Sequence, residues 1–162
     1  MAEIRLRDYE HADAENLNRI AVAAFDKFRD HYGDWPAMLA GLSKTSDLSA
    51  SGEVIVAELQ DEFAGAVAYF GPNSQKAAIF DQRWPIIRML IVDPAFRGKG
   101  IGRALSDACI ARAERDGSPI IALHTSPIMS VALPMYLKMG FVKAYDAPPI
   151  FGVAYAVYTK AL

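Results

Sequence analysis

Apolar and polar positions along the chain alternate between two periods. Ile4 and Leu6 alternate with charged neighbours between Glu3 and Arg7, the pattern of a first, edge-like strand. Leu17, Ile20, Ala21, Ala24, Phe25 and Phe28 then recur at helical spacing, which predicts an amphipathic helix, with Asp8 and Asp13 as candidate N-caps. Trp35-Pro36 can open a second helix through Ala40 and Leu42, and Ser46 to Gly52 reads as a polar loop. Val54–Ala57 and Ala64–Phe70 read as the strands of a hairpin turned by Gln60-Asp61-Glu62, and Gly71-Pro72-Asn73-Ser74 ends the second strand. Ile86 to Val92 is nearly all apolar, as a strand buried on both faces should be. Arg88 is its exception and calls for a partner or a solvent edge.

The second half continues the alternation. Ile101, Leu105, Ala108 and Cys109 share one face of a long helix from about Lys99 to Asp116, and Gly117 is a good stop. Arg112 interrupts that apolar stripe, where it is expected to snorkel. Pro119 to Thr125 is a fifth strand, followed by a short helix over residues 130–139. Pro134 removes a backbone donor there, so the helix should begin late or bend. Gly140–Tyr145 and Gly152–Thr159 read as closing strands with a break at Pro148-Pro149. The sum is one mixed α/β domain over residues 1–162.

Composition narrows the function classes. The chain is 52% hydrophobic and 22% charged, an ordinary folded composition, and 162 residues suffice for a real core. A net charge of −2 argues against a nucleic-acid partner. The single Cys109 excludes an intramolecular disulfide and fits a reducing compartment. No apolar run reaches membrane-spanning length, and the N-terminus lacks a signal peptide's apolar middle, so a cytoplasmic protein away from membranes is expected. No metal site is expected.

The chemistry concentrates in Arg97-Gly98-Lys99-Gly100-Ile101-Gly102-Arg103, between the apolar fourth strand and the long helix. Glycines let the backbone approach a ligand, and the unpaired first-turn amides carry partial positive charge. Together they make an anion site. A Walker loop would need Gly-Lys-Ser/Thr, whereas Arg103 and Ala104 follow Gly102 here; a dinucleotide fingerprint would need its third glycine one residue later.

Arg97, Gly100 and Gly102, preceded by Leu90-Ile91-Val92-Asp93-Pro94, match a third pattern, R/Q-x-x-G-x-G/A. This segment resembles the acetyl-CoA motif of the GNAT superfamily of N-acetyltransferases. Ala132-Leu133-Pro134-Met135-Tyr136-Leu137-Lys138-Met139-Gly140-Phe141 resembles the same family's A-x-x-L-Y-x-x-x-G-F segment, with Met135 in the usual Leu place. The resemblance covers residues 86–141. It implies a mixed, mostly antiparallel sheet, splayed between the fourth and fifth strands and flanked by helices. It also implies acetyl-CoA as co-substrate. Backbone groups of Leu90, Ile91 and Val92 would pair with pantetheine by strand addition. Arg97, Gly98, Lys99, Gly100, Ile101, Gly102 and Arg103 would hold the pyrophosphate.

The implied reaction is direct attack of a primary amine, on a small molecule or peptide, upon the thioester. A fourth-strand amide near Met89–Leu90 is the oxyanion candidate and Tyr136 the candidate acid, since a phenol stays protonated at neutral pH. The fourth strand offers no acid as base. His124, twelve residues before the tyrosine, aligns with a carboxylate base of some members; Asp81 and a water chain are alternatives. Met129 stands where the family often has a cofactor-contacting Asn, a place Ser126 or Ser130 could fill. Phe28, Tyr32, Trp35, Phe80 and Trp84 could line the acceptor cleft, which suggests an apolar or aromatic-tolerant amine. The loop from Gln75 to Pro85 is either a surface connection or the acceptor-recognition loop. A homodimer would most plausibly use Phe151 to Tyr158. The competing reading is a non-catalytic acyl-CoA-binding sensor, for which the missing fourth-strand acid leaves room.

Overall fold

A computed structural model describes residues 3–162. Seven strands form one sheet: β1 (Ile4–Asp8), β2 (Glu53–Leu59), β3 (Glu62–Phe70), β4 (Ile86–Val92), β5 (Ile120–Thr125), β6 (Val142–Ile150) and β7 (Val153–Ala161), in the order β1-β2-β3-β4-β5-β7-β6. Every neighbouring pair is antiparallel except β4 and β5, which run parallel. Four α-helices cover the faces: α1 (Ala14–Phe25), α2 (Trp35–Leu42), α3 (Ile101–Arg115) and α4 (Ala132–Lys138). Leu17, Ile20, Ala21 and Phe25 of α1 pack on one face with Ala66, Ala68, Ile86 and Ile91 of the sheet. Ile101, Leu105, Cys109 and Ala113 of α3, with Tyr136 of α4, pack on the other against Ile55, Val67 and Ile87. Burial on both faces explains why β3 and β4 read as continuous apolar runs.

Local chemistry sets the ends of these elements. α1 stops at Phe25, and residues Asp26–His31 tighten into a 3-10 turn that keeps Phe28 buried. Asp13 precedes α1 without capping it: its carboxylate accepts from Arg7 and from the Glu10 amide (2.7 Å). Asp34 caps α2, accepting the Ala37 N–H. Thr45–Ala50, expected as a loop, is a 3-10 turn. Gly117 (φ +72°) closes α3: its N–H reaches Glu114 O and that of Ser118 reaches Ala113 O, a Schellman pair. Arg112 does more than snorkel. It donates to Glu53 (2.6 Å) and Asp8 (2.7 Å), tying α3 to the β1–β2 edge. α4 starts late, at Ala132, so Pro134 occupies its first turn, where no amide partner is lost.

One expectation is overturned. Pro148-Pro149 does not break the chain; it lies inside β6, which runs on to Ile150. β6 is an edge strand, and its register slips between Ala147 and Ile150, so the missing donors face no partner strand. The hairpin instead turns at Phe151 (φ 44°) and Gly152 (φ 83°).

Candidate functional site

The site begins with two departures from regular pairing in β4. Gly65 sits so close to β4 that an added Cβ would lie 2.6 Å from the Ile91 carbonyl oxygen. Beyond it the register steps from Ala66↔Ile91 to Ala68↔Arg88, so Met89 and Leu90 oppose one residue, Val67. Met89 adopts φ +55°, inside a strand, a bulge that costs roughly 1–3 kcal/mol for a non-glycine residue. On its other side β4 pairs with β5 at Ile86↔Ala122 and the two strands then diverge. The sheet therefore opens at the bulge.

A cavity of about 460 Å³ fills that opening. Leu90, Ile91 and Val92 form one wall, and Met129, Val131, Ala132 and Met135 the opposite one. Gly98, Gly100, Ile101, Gly102 and Arg103 close one end, and Ala24, Phe25, Lys27 and Phe28 reach in from α1 and the turn after it. Gly98 (φ +75°) and Gly100 (φ +84°) hold left-handed conformations suited to glycine. α3 begins at Ile101, so its first-turn amides meet the cavity without intrahelical partners. Arg97 also lines it and donates to Ala24 O (3.4 Å), and Arg103 pairs with Asp107. Lys99 is exposed and lies off the wall.

Lys27 is a wall residue that the sequence did not single out. Its ammonium lies 4.9 Å from the Phe28 ring centroid, and burial, then Arg97, pull its pKa down. Two cations held close together, with no acid on the wall, are suited to an anionic ligand. Nothing in the local spacing of Lys27 distinguishes it from a solvated helix residue. Ser126 is fully buried and Ser130 exposed; Met129 lines the cavity instead of either.

Tyr136 follows the wall residue Met135 in α4. It is 5% exposed, its ring meets Phe141 edge-on at 5.6 Å, and Ser106 is its polar neighbour. Burial pushes the phenol well above its usual pKa, so it stays protonated. Cys109, buried behind it, has a thiol raised to about 12 and is inert at neutral pH.

His124 belongs to the opposite face. Its ring is flanked by Phe80 (5.7 Å) and Tyr155 (5.2 Å), and it lines a second cavity of about 290 Å³ with Phe80 and Arg88. Burial and then Arg88 push its pKa down to about 4, leaving a neutral, weakly basic imidazole at pH 7. Asp81 accepts three bonds from Arg83, which hold its pKa at about 2. The expected aromatic residues do not share one cleft. Phe28 lines the first cavity and Phe80 the second. Tyr32 bonds Tyr155 (2.6 Å) and packs on Trp35, while Trp84 packs against the core. Tyr145 donates to Ile79 O, fastening the 75–85 loop to β6 and making it a wall of the second cavity.

A family model, Acetyltransferase (GNAT) family, matches residues 10–141. No curated protein is significantly similar in sequence. Among solved structures, a GCN5-related N-acetyltransferase from Rhodopseudomonas palustris is 24% identical with a TM-score of 0.79, over 100% of this chain and 98% of that one. An acetyltransferase of the GNAT family from Staphylococcus aureus is 18% identical with a TM-score of 0.73, covering 99% of each chain. A GNAT family acetyltransferase from Elizabethkingia anophelis, solved with acetyl-CoA bound, is 17% identical with a TM-score of 0.69, covering 98% of each.

Proposed function

We propose that this chain, which belongs to the acetyltransferase (GNAT) family, binds acetyl-CoA in the first cavity and passes the acetyl group to a primary amine of a small molecule or peptide. One observation carries the reading: the opening between β4 and β5 ends on the glycine turn and bare N-terminus of α3. The residues there fit the co-substrate. First-turn amides with Lys27, Arg97 and Arg103 suit a pyrophosphate, and the apolar walls suit a pantetheine arm that adds to the free edge of β4.

Acetyl-CoA supplies an activated thioester carbonyl. The bulge at Met89 turns strand amides out of the ladder, and the amide near Met89–Leu90 is the donor for the developing oxyanion. Tyr136 is the proposed proton donor to the departing sulfur: burial keeps its phenol protonated until that step, though it also makes the phenol a weaker acid. His124, uncharged at neutral pH, accepts a hydrogen bond from the amine or from a water on it. With so weak a base, the proton ends in solvent.

A second reading, an acyl-CoA-binding sensor, draws on one feature: no carboxylate lines either cavity. Calorimetry with acetyl-CoA, followed by thiol release against amines, amino acids and short peptides, separates the two. Binding with release from one acceptor class is the expected result. Binding without release from any acceptor would leave the sensor, and absence of binding would refute both.

A further inference from the structure

The second cavity holds a charge that the reaction above does not use. Arg88 projects from β4 into a space walled by Phe70, Ile79, Phe80, Ile86 and Ile150. Its guanidinium has neither an ion pair nor a hydrogen bond among the described residues. Its Cζ lies 5.9 Å from the Phe70 ring centroid, and burial lowers its pKa. The residue keeps exposed surface and lines the second cavity. The other cation on the wall, Lys76, is fully engaged: Nζ donates to the carbonyls of Gly71 (2.8 Å), Ser74 (2.8 Å) and Gln82 (3.1 Å). It adds positive charge without a free donor. The third titratable wall group, His124, is neutral, and the nearby Asp81 is taken by Arg83. The cavity is thus apolar and cationic, with one unassigned set of planar donors.

The Arg88 guanidinium donors are unpaired among the described residues at the cavity wall, and their fork matches a carboxylate in two-point geometry. The volume, about 290 Å³, lies at the low end for ligand sites and suits a small molecule rather than a folded surface. Arg88 immediately precedes the bulge at Met89 in β4, so the second cavity abuts the strand segment that carries the proposed oxyanion donor. We propose that the acceptor is an amino acid with an apolar side chain, its carboxylate held by Arg88 and its amine presented to the thioester. This rests on the acetyl-transfer reading. In that step the amine nitrogen bonds the acetyl carbon and the carbon–sulfur bond breaks. The amine proton passes to solvent, the thiolate takes a proton from Tyr136, and the phenolate regains one from solvent, giving an N-acetylamino acid and free CoA.

The test is calorimetry on the full chain with CoA present, using L-leucine and L-phenylalanine, their amides, and 2-phenylethylamine. Thiol release from acetyl-CoA is followed in parallel. At least one free acid should bind about tenfold or more tightly than its amide, as expected for a charge-assisted pair. Arg88→Gln should abolish that preference, and Arg88→Lys, which keeps charge without the fork, should restore part of it. Equal affinities for acid and amide in the native chain, or a preference that survives in Arg88→Gln, would overturn the proposal. Release with amides and plain amines but not acids would also overturn it while leaving acetyl transfer standing. Arg88-dependent acid binding without release would do the reverse, supporting the carboxylate site and refuting turnover.

Discussion

The two cavities rest on the same strand, on either side of Met89, and they are built from different parts of the chain. The first is mainly backbone: strand edge, glycine turn and helix N-terminus, drawn largely from residues 90–103, with the end of α1 and the start of α4 completing it. The second is side chains: Arg88 from β4, His124 from β5, Phe80 and Lys76 from a loop, and Ile150 from the edge strand. A backbone-built site asks little of residue identity beyond glycine, so it can be shared widely within a fold. A side-chain-built site is set by individual substitutions. On the reading proposed above, the first cavity would fix the reaction and the second the choice of acceptor.

Three substitutions bear on that division, in order of expected size. Tyr136→Phe touches neither wall and should lower turnover about a hundredfold while leaving acetyl-CoA affinity unchanged, as loss of a general acid does. Steady-state kinetics beside calorimetry reads both, and unchanged turnover would remove the phenol from the mechanism. Gly65→Ala strikes the strand both cavities share. Its Cβ would meet Ile91 O at 2.6 Å, so β4 must shift, at about 1–3 kcal/mol and several degrees of Tm. Thermal unfolding measures the cost, and both ligands should weaken together. Gly100→Asp should strike the first cavity alone. It puts a side chain on a left-handed residue and a negative charge beside the anion site, weakening acetyl-CoA by about tenfold. Amino-acid binding in the second cavity should hold; if both fall equally, the two cavities are not separable.

Legibility in the sequence follows the same line. The strands and helices were readable because β3, β4 and α3 each carry one apolar period, interrupted only by Arg88 in β4 and Arg112 in α3. The glycine turn was readable because Gly98, Gly100 and Gly102 fall within five residues and the physics of a helix N-terminus is local. The second cavity was not, since Arg88, His124, Phe80 and Ile150 are far apart in the chain and meet only through sheet order. Arg88 alone left a trace, as a charge in an otherwise apolar strand. Pro148-Pro149 misled because proline normally ends a strand; only the position of β6 at the sheet edge excuses it. The bulge at Met89 had no signal at all, as nothing in Arg88-Met89-Leu90 marks a positive φ.

A last effect is a pH dependence confined to the second cavity. His124 titrates near 4 in the folded chain and near 6.5 when exposed, because burial first, and Arg88 second, disfavour its cation. The unfolded chain therefore binds more protons between these values, and stability rises with pH across that window. The contribution of His124 is fully present above pH 6.5 and is lost as pH falls to about 4. His124→Gln should flatten the Tm profile between pH 4 and 6.5 relative to the native chain, leaving the profile above 7 parallel. A slope that persists in the variant would assign it elsewhere. Arg88→Gln should raise the imidazole pKa by removing the second cause, which an NMR titration of His124 reads directly. A carboxylate seated on Arg88 should raise it in the same direction, since it neutralises the same charge. The imidazole thus reports the occupancy of the acceptor cavity without any turnover, and acetyl-CoA in the first cavity should leave it where it is.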